Sequence, residues 1–154
     1  MILIVVMSGV FAELAMKKTS IKTGSYEKSS PQIYTLITVT LYAGEISAIC
    51  DGFGDSPSNI TTPGPSLIFM AGQTVTVTLN NVGSMLHNWA IVSEKSSEAP
   101  VLWGAQIGSD SIPVNSGDSG SVTFTVGSAG SYYYICQIPG QVNIGMWGTI
   151  KVNP

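Results

Sequence analysis

Between Gln73 and Leu79 the chain alternates strictly, with Val75, Val77 and Leu79 on one side and Thr74, Thr76 and Thr78 on the other. A period of two sends successive side chains to opposite faces of an extended chain, so this segment is a half-buried β-strand. Short runs of the same kind recur. Ile33 to Tyr42 is rich in β-branched residues, and Glu45 to Cys50 is expected to pair with it across an Ala43-Gly44 turn. Leu67 to Met70, Leu86 to Val92, Ser121 to Val126, Ser131 to Cys136 and Trp147 to Val152 follow, separated by Gly, Pro, Asn and Ser. Ser93 to Pro100 is a polar excursion. No segment after residue 20 carries a helical period. Seven or eight short strands with such turns predict an all-β sandwich or barrel.

Length and charge narrow the function. A chain of 154 residues suffices for one domain with a real core. Charged residues make up only 10%, against about a quarter in an average protein. All basic residues are lysines, and the net charge is −3. A chain without a basic patch is a poor nucleic-acid binder. Neither Ser56 to Ser93 nor Ser119 to Ile150 contains Asp, Glu, Lys or Arg. If these stretches meet, they make an uncharged end where a partner docks by apolar contact.

The chain divides into an N-terminal segment and connector, residues 1–31, and a β-domain, residues 32–154. Ile2 to Ala12 is apolar and is followed by Glu13 and the Lys17-Lys18 pair. As a helix it would reach only about 17 Å, short of a bilayer. We expect it to pack on the domain; the alternatives are the remnant of a membrane anchor and the apolar core of a signal peptide.

The chemistry is concentrated near the C-terminus, in Tyr132-Tyr133-Tyr134-Ile135-Cys136-Gln137-Ile138-Pro139-Gly140-Gln141-Val142-Asn143-Ile144-Gly145-Met146-Trp147. A strand ends in a cysteine, a Pro-Gly loop follows, and a methionine opens the next strand. The only histidine, His87, lies in an earlier apolar run. Thiolate, imidazole and thioether together suit copper, because soft donors serve both of its oxidation states. Parity supports convergence: Tyr132, Tyr134 and Cys136 share a face, as do Met146, Gly148, Ile150 and Val152, and likewise His87, Trp89 and Ile91. Each residue alone has a plainer reading: Cys136 as a buried inert thiol, His87 as a core histidine, Met146 as core filler. Cys50 reads as a small structural residue, or as the partner of Cys136 in a disulfide.

At these residues the chain resembles the cupredoxins, the mononuclear blue copper family, and within it the sulfocyanins and rusticyanins. Pro63-Gly64-Pro65-Ser66 and Ala71-Gly72-Gln73-Thr74-Val75-Thr76-Val77 resemble the family's early strand pair. Leu86-His87-Asn88 resembles the segment of the first imidazole ligand, Gly130 to Cys136 the strand ending in the thiolate, Ile138-Pro139-Gly140 the turn before the second histidine, and Gly145-Met146-Trp147 the axial methionine segment. The resemblance implies a cupredoxin-like Greek-key β-sandwich of seven to eight strands that holds one copper ion. It further implies that His87 and Cys136 are equatorial ligands, that Met146 is the axial ligand, and that Asn88 ties the two ligand segments together. The family consists of electron carriers, and sulfocyanins are exported proteins anchored at the surface of acid-loving archaea. An extracytoplasmic carrier in a respiratory chain, serving redox protein partners and anchored through its N-terminus, is therefore expected.

One position departs from the pattern: Gln141 stands where the second histidine belongs. It is a ligand through its amide oxygen, a non-ligand beside a water, or a replacement that weakens the site. The competing functions are a copper-holding or copper-delivery module that never cycles, and a metal-free sandwich stapled by a Cys50–Cys136 disulfide. Hydrolytic chemistry is not expected, because one histidine without a neighbouring carboxylate in sequence assembles neither a triad nor a zinc-hydrolase site. An oxidase needs further copper sites and more histidines.

Overall fold

The computed structural model describes residues 36–154. The N-terminal apolar run and the connector lie outside the described residues. Ten strands form two five-stranded sheets. The first sheet contains β1 (Ile37–Ser47), β2 (Cys50–Gly54), β3 (Ile60–Thr61), β5 (Thr74–Asn81) and β8 (Ser119–Thr125), in the order β3-β2-β1-β5-β8. The second contains β4 (Leu67–Met70), β6 (Trp89–Val92), β7 (Gln106–Ile107), β9 (Gly130–Ile135) and β10 (Trp147–Asn153), in the order β4-β10-β9-β6-β7. β1 runs parallel to β5 and β10 parallel to β4; the other pairs are antiparallel. The all-β sandwich read from the alternation is the fold observed. Two of the ten strands, β3 and β7, are two residues long, too short to leave a periodic signal.

The alternation of β5 is carried through: Val75, Val77 and Leu79 are fully buried and the threonines between them are not. They meet Phe69, Trp89, Ile91, Phe124, Tyr134, Ile150 and Val152 in one core between the sheets. Apolar area removed from water drives this packing at about 25 cal/mol per Å².

The expected Ala43-Gly44 turn is corrected. Both residues lie inside β1, buried, and the turn is Ala48-Ile49. They are small because another backbone passes close by: a Cβ on Gly44 would stand 3.3 Å from the Gly83 nitrogen. β1 therefore continues to Ser47. Glu45 pairs with Asp51 and Ser47 with Cys50, so Ile46 is an extra, bulged residue.

Tyr134 joins the sheets. Its ring meets Phe53 edge-on at 5.2 Å, and its hydroxyl donates to the Pro65 carbonyl at 2.6 Å. Gly148 opposite it is required, since a Cβ there would fall 2.1 Å from the ring. Tyr134→Phe should cost about 1–2 kcal/mol, because the Pro65 carbonyl loses its donor. Urea unfolding measures this, and an unchanged midpoint would show that the bond contributes nothing net.

Candidate metal centre

His87, Asn88, Cys136, Gln141 and Met146 arrive on three pieces of chain and come together. His87 lies just before β6, held by reciprocal backbone bonds with Val114: its N–H donates to the Val114 carbonyl at 3.2 Å and its carbonyl accepts from the Val114 N–H at 2.8 Å. Cys136 follows the end of β9, and Met146 immediately precedes β10. Those strands are antiparallel neighbours, and the Cys136 N–H donates to the Met146 carbonyl at 3.1 Å. His87, Cys136 and Met146 are all fully buried.

The side chains converge on one atom. Gln141 Oε1 stands 2.9 Å from His87 Nδ1 and 2.9 Å from Cys136 Sγ. The Gln141 amide nitrogen donates to the Leu86 carbonyl at 3.1 Å, which turns the oxygen inward. Asn88 is hydrogen-bonded to the Cys136 segment. Its Oδ1 accepts from the Gln137 N–H at 2.6 Å and from the Cys136 thiol at 3.2 Å, and its own N–H points at Cys136 Sγ at 3.4 Å.

Burial pushes the Cys136 thiol up to about 11; backbone N–H groups of Asn88 and Ile138 pull against this, and the Asp51 carboxylate adds to it. The thiol is thus protonated at neutral pH in the metal-free protein, and a metal that takes it as thiolate must expel that proton. The sign follows: raising the pH towards 11 lowers the cost of deprotonation, so apparent affinity should rise about tenfold per pH unit above neutrality. Competition titrations at several pH values check this, and a pH-independent affinity would exclude the thiolate as ligand.

The plainer readings of the cysteines fare differently. Both are free, so no disulfide joins them. Cys50 is nonetheless near the ligand loop, its thiol 3.4 Å from the Ile144 carbonyl. The uncharged end is also qualified. Glu45 and Asp51, from outside both charge-free stretches, reach this end of the fold, with Glu45 Oε1 at 3.8 Å from His87 Nε2. No sequence spacing links these carboxylates to the ligand segments; the pairing of β1 with β5, Ala43 opposite Asn81, and of β1 with β2 brings them there. The outer rim is apolar, with Met85, Leu86 and Ile144 exposed.

The donor set fits copper. Among the described residues no three His, Cys, Asp or Glu side chains cluster as a zinc or calcium site would need. One thiol and one imidazole nitrogen instead face a common point, and the backbone of the buried Met146 is bonded to both Cys136 and Gln141, so soft and intermediate donors are available.

The chain is similar to known copper proteins. The family model for copper binding proteins of the plastocyanin/azurin family matches residues 63–153. Auracyanin-B of Chloroflexus aurantiacus is 31% identical over 126 residues, covering 71% of this chain and 52% of that sequence. Rusticyanin of Acidithiobacillus ferrooxidans is 39% identical over 93 residues, covering 57% of this chain and 50% of that sequence. The chain thus spans about half the length of these relatives. The auracyanin B structure superposes with a TM-score of 0.54 at 26% identity, covering 77% of this chain and 89% of that one. A multicopper oxidase superposes at 0.57 with 21% identity over 39% of its own chain, a likeness of fold alone. Strand architecture, the paired Cys136 and His87 donors and the family match lead to one assignment: the chain belongs to the copper-binding plastocyanin/azurin family, the cupredoxins.

Proposed function

We propose that the protein carries single electrons on one copper ion held by His87 Nδ1, the Cys136 thiolate and Met146, with Gln141 as an oxygen donor at the place of a second imidazole. Copper bound there supplies a one-electron couple between Cu(I) and Cu(II). The observation that carries the reading is the convergence of His87 Nδ1 and Cys136 Sγ on a single atom, each at 2.9 Å. The protein's part is to hold these donors before any metal arrives. The Met146 N–H donates to the Gln141 carbonyl at 3.0 Å, and Asn88 anchors the Cys136 segment from the far side. Donors fixed in this way have little to rearrange between oxidation states.

The exposed Met85, Leu86 and Ile144 support docking of a redox protein by apolar contact, with little electrostatic steering. We place the protein outside the cytoplasm, at the cell surface or on a membrane, and read it as a carrier and not an enzyme. The N-terminal apolar run is consistent with an anchor, and the resemblance to sulfocyanins supports an extracytoplasmic respiratory chain.

One observation favours a second reading, a copper-holding module that does not cycle. Gln141 offers a hard amide oxygen, a weaker donor to Cu(II) than imidazole, while Cu(I) accepts few soft donors. A Cu(II) titration of the reduced protein, followed by visible absorption and electron spin resonance, separates the two. An intense thiolate-to-copper band that bleaches on reduction and returns on oxidation supports the carrier. Tight Cu(I) binding without such a band supports the holder.

A further inference from the structure

His87 presents only one edge of its ring to the metal centre. The other nitrogen, Nε2, is fully buried and has no hydrogen-bond partner. Facing it is Glu45, whose Oε1 lies 3.8 Å away, beyond the roughly 2.7–3.2 Å of an N–H···O bond. This carboxylate is built into the fold. Oε1 accepts from the Met85 N–H at 2.7 Å and the Ser84 N–H at 3.1 Å, and Oε2 accepts from the Ser84 N–H at 2.9 Å. A Cβ on Gly83 would stand 2.6 Å from Oε2, so the carboxylate occupies room that only glycine leaves. The Ser84 and Met85 N–H groups it accepts from hold the carboxylate in place and favour its charged form. The bulge at Ile46 sets Glu45 opposite Asp51, the other carboxyl near the ring.

We infer that Glu45 is a positioning residue of the copper centre: its carboxylate receives the Nε2–H of His87, which leaves the Nδ1 lone pair free for the metal. The inference rests on His87 being a copper ligand. A neutral imidazole carries one N–H. With Gln141 turned by Leu86, its oxygen can only accept, so in the metal-free protein Nδ1 donates its hydrogen to Oε1. Copper needs that nitrogen bare. An acceptor on the opposite edge lets the ring keep its proton at Nε2, and closing the gap from 3.8 Å completes a carboxylate–histidine–metal arrangement. The fixed negative charge also favours Cu(II) over Cu(I).

Two variants of the full chain test this. Glu45→Gln keeps an oxygen for the backbone N–H groups and removes the charge; Glu45→Ala removes both. The expected result is a roughly tenfold loss of Cu(II) affinity relative to Cu(I) in Glu45→Gln, read as a rise in reduction potential of about 59 mV. In the Cu(I)-loaded protein the single imidazole gives one set of nitrogen-15 resonances. Its Nε2–H should exchange with solvent faster in Glu45→Ala than in the parent. An unmoved potential in Glu45→Gln, with copper bound and the visible band intact, overturns the proposal. Ring resonances indifferent to copper would instead remove His87 from the ligand set. That result would overturn the proposal as well, because the carboxylate is assigned its role only while His87 holds the metal.

Discussion

Cys136→Ala will abolish the thiolate-to-copper absorption band and most of the Cu(II) affinity while leaving the sandwich folded. Of the four proposed donors Cys136 alone would become anionic; His87, Gln141 and Met146 would bind as neutral groups. Its removal leaves the site without an anionic ligand, with only the more distant Glu45 carboxylate to offset the ion's charge. The structural cost is small by comparison. The Asn88 N–H loses its contact with sulfur and Gln141 Oε1 loses the thiol donor, but Asn88 Oδ1 keeps the Gln137 N–H at 2.6 Å. These weak sulfur contacts and a small cavity amount to about 1–2 kcal/mol, a few degrees in Tm. Visible spectra of the copper-titrated variant and a thermal melt separate the two effects. A surviving band would pass the role to Cys50, the only other thiol, whose Sγ already lies 3.4 Å from the Ile144 carbonyl of the ligand loop. Cys50→Ala is therefore the paired control, with its band expected unchanged.

Gln141→His should tighten Cu(II) binding at least tenfold, about 1.4 kcal/mol, and change the colour of the oxidised protein. The amide oxygen of Gln141 occupies the point where His87 Nδ1 and Cys136 Sγ converge, so position 141 faces the site directly. An imidazole there brings a nitrogen donor better matched to Cu(II), and the Leu86 carbonyl, which now accepts from the amide, can accept from the new ring. The added ring should also speed electron exchange by providing an aromatic route from the site. Absorption spectra, affinity by competition and self-exchange rates make the comparison. Unchanged colour and affinity would mean that residue 141 does not touch the metal.

Much of the fold was legible because alternation is a local property. Val75, Val77 and Leu79 declare the inner face of β5 without reference to any other strand, and the parity of Tyr134 in β9 with Cys136 just after it does the same. The Ala43-Gly44 turn was misread because small residues serve two ends. They permit turns, and they also let two backbones approach, as Gly44 does with Gly83. Periodicity carries no information about which of these applies. The candidate site divides along the same line. Cys136, Gln141 and Met146 are close in sequence, and His87 is unique, so their grouping could be read directly. Glu45 could not be found this way. It lies 40 residues before the Met85 N–H it accepts from, and it reaches His87 through the pairing of β1 with β5, Ala43 opposite Asn81. Nothing in its own neighbourhood in the chain marks it.

Much of the backbone of the segment between Cys136 and Met146 is bonded within the segment, while Asn88, Leu86 and Thr62 fasten it to the frame. The Cys136 N–H reaches the Met146 carbonyl, the Met146 N–H the Gln141 carbonyl, the Gln141 N–H the Ile138 carbonyl, and the Asn143 N–H the Gly140 carbonyl. The two ends of the loop are bonded to each other, so its path owes little to the side chains it carries. Such a segment behaves as an exchangeable cassette seated in a rigid frame. Loops of the same closure taken from relatives should seat on the same strands, carrying their own donors with them. Metal preference could then be rewritten one side chain at a time without renegotiating the sandwich beneath.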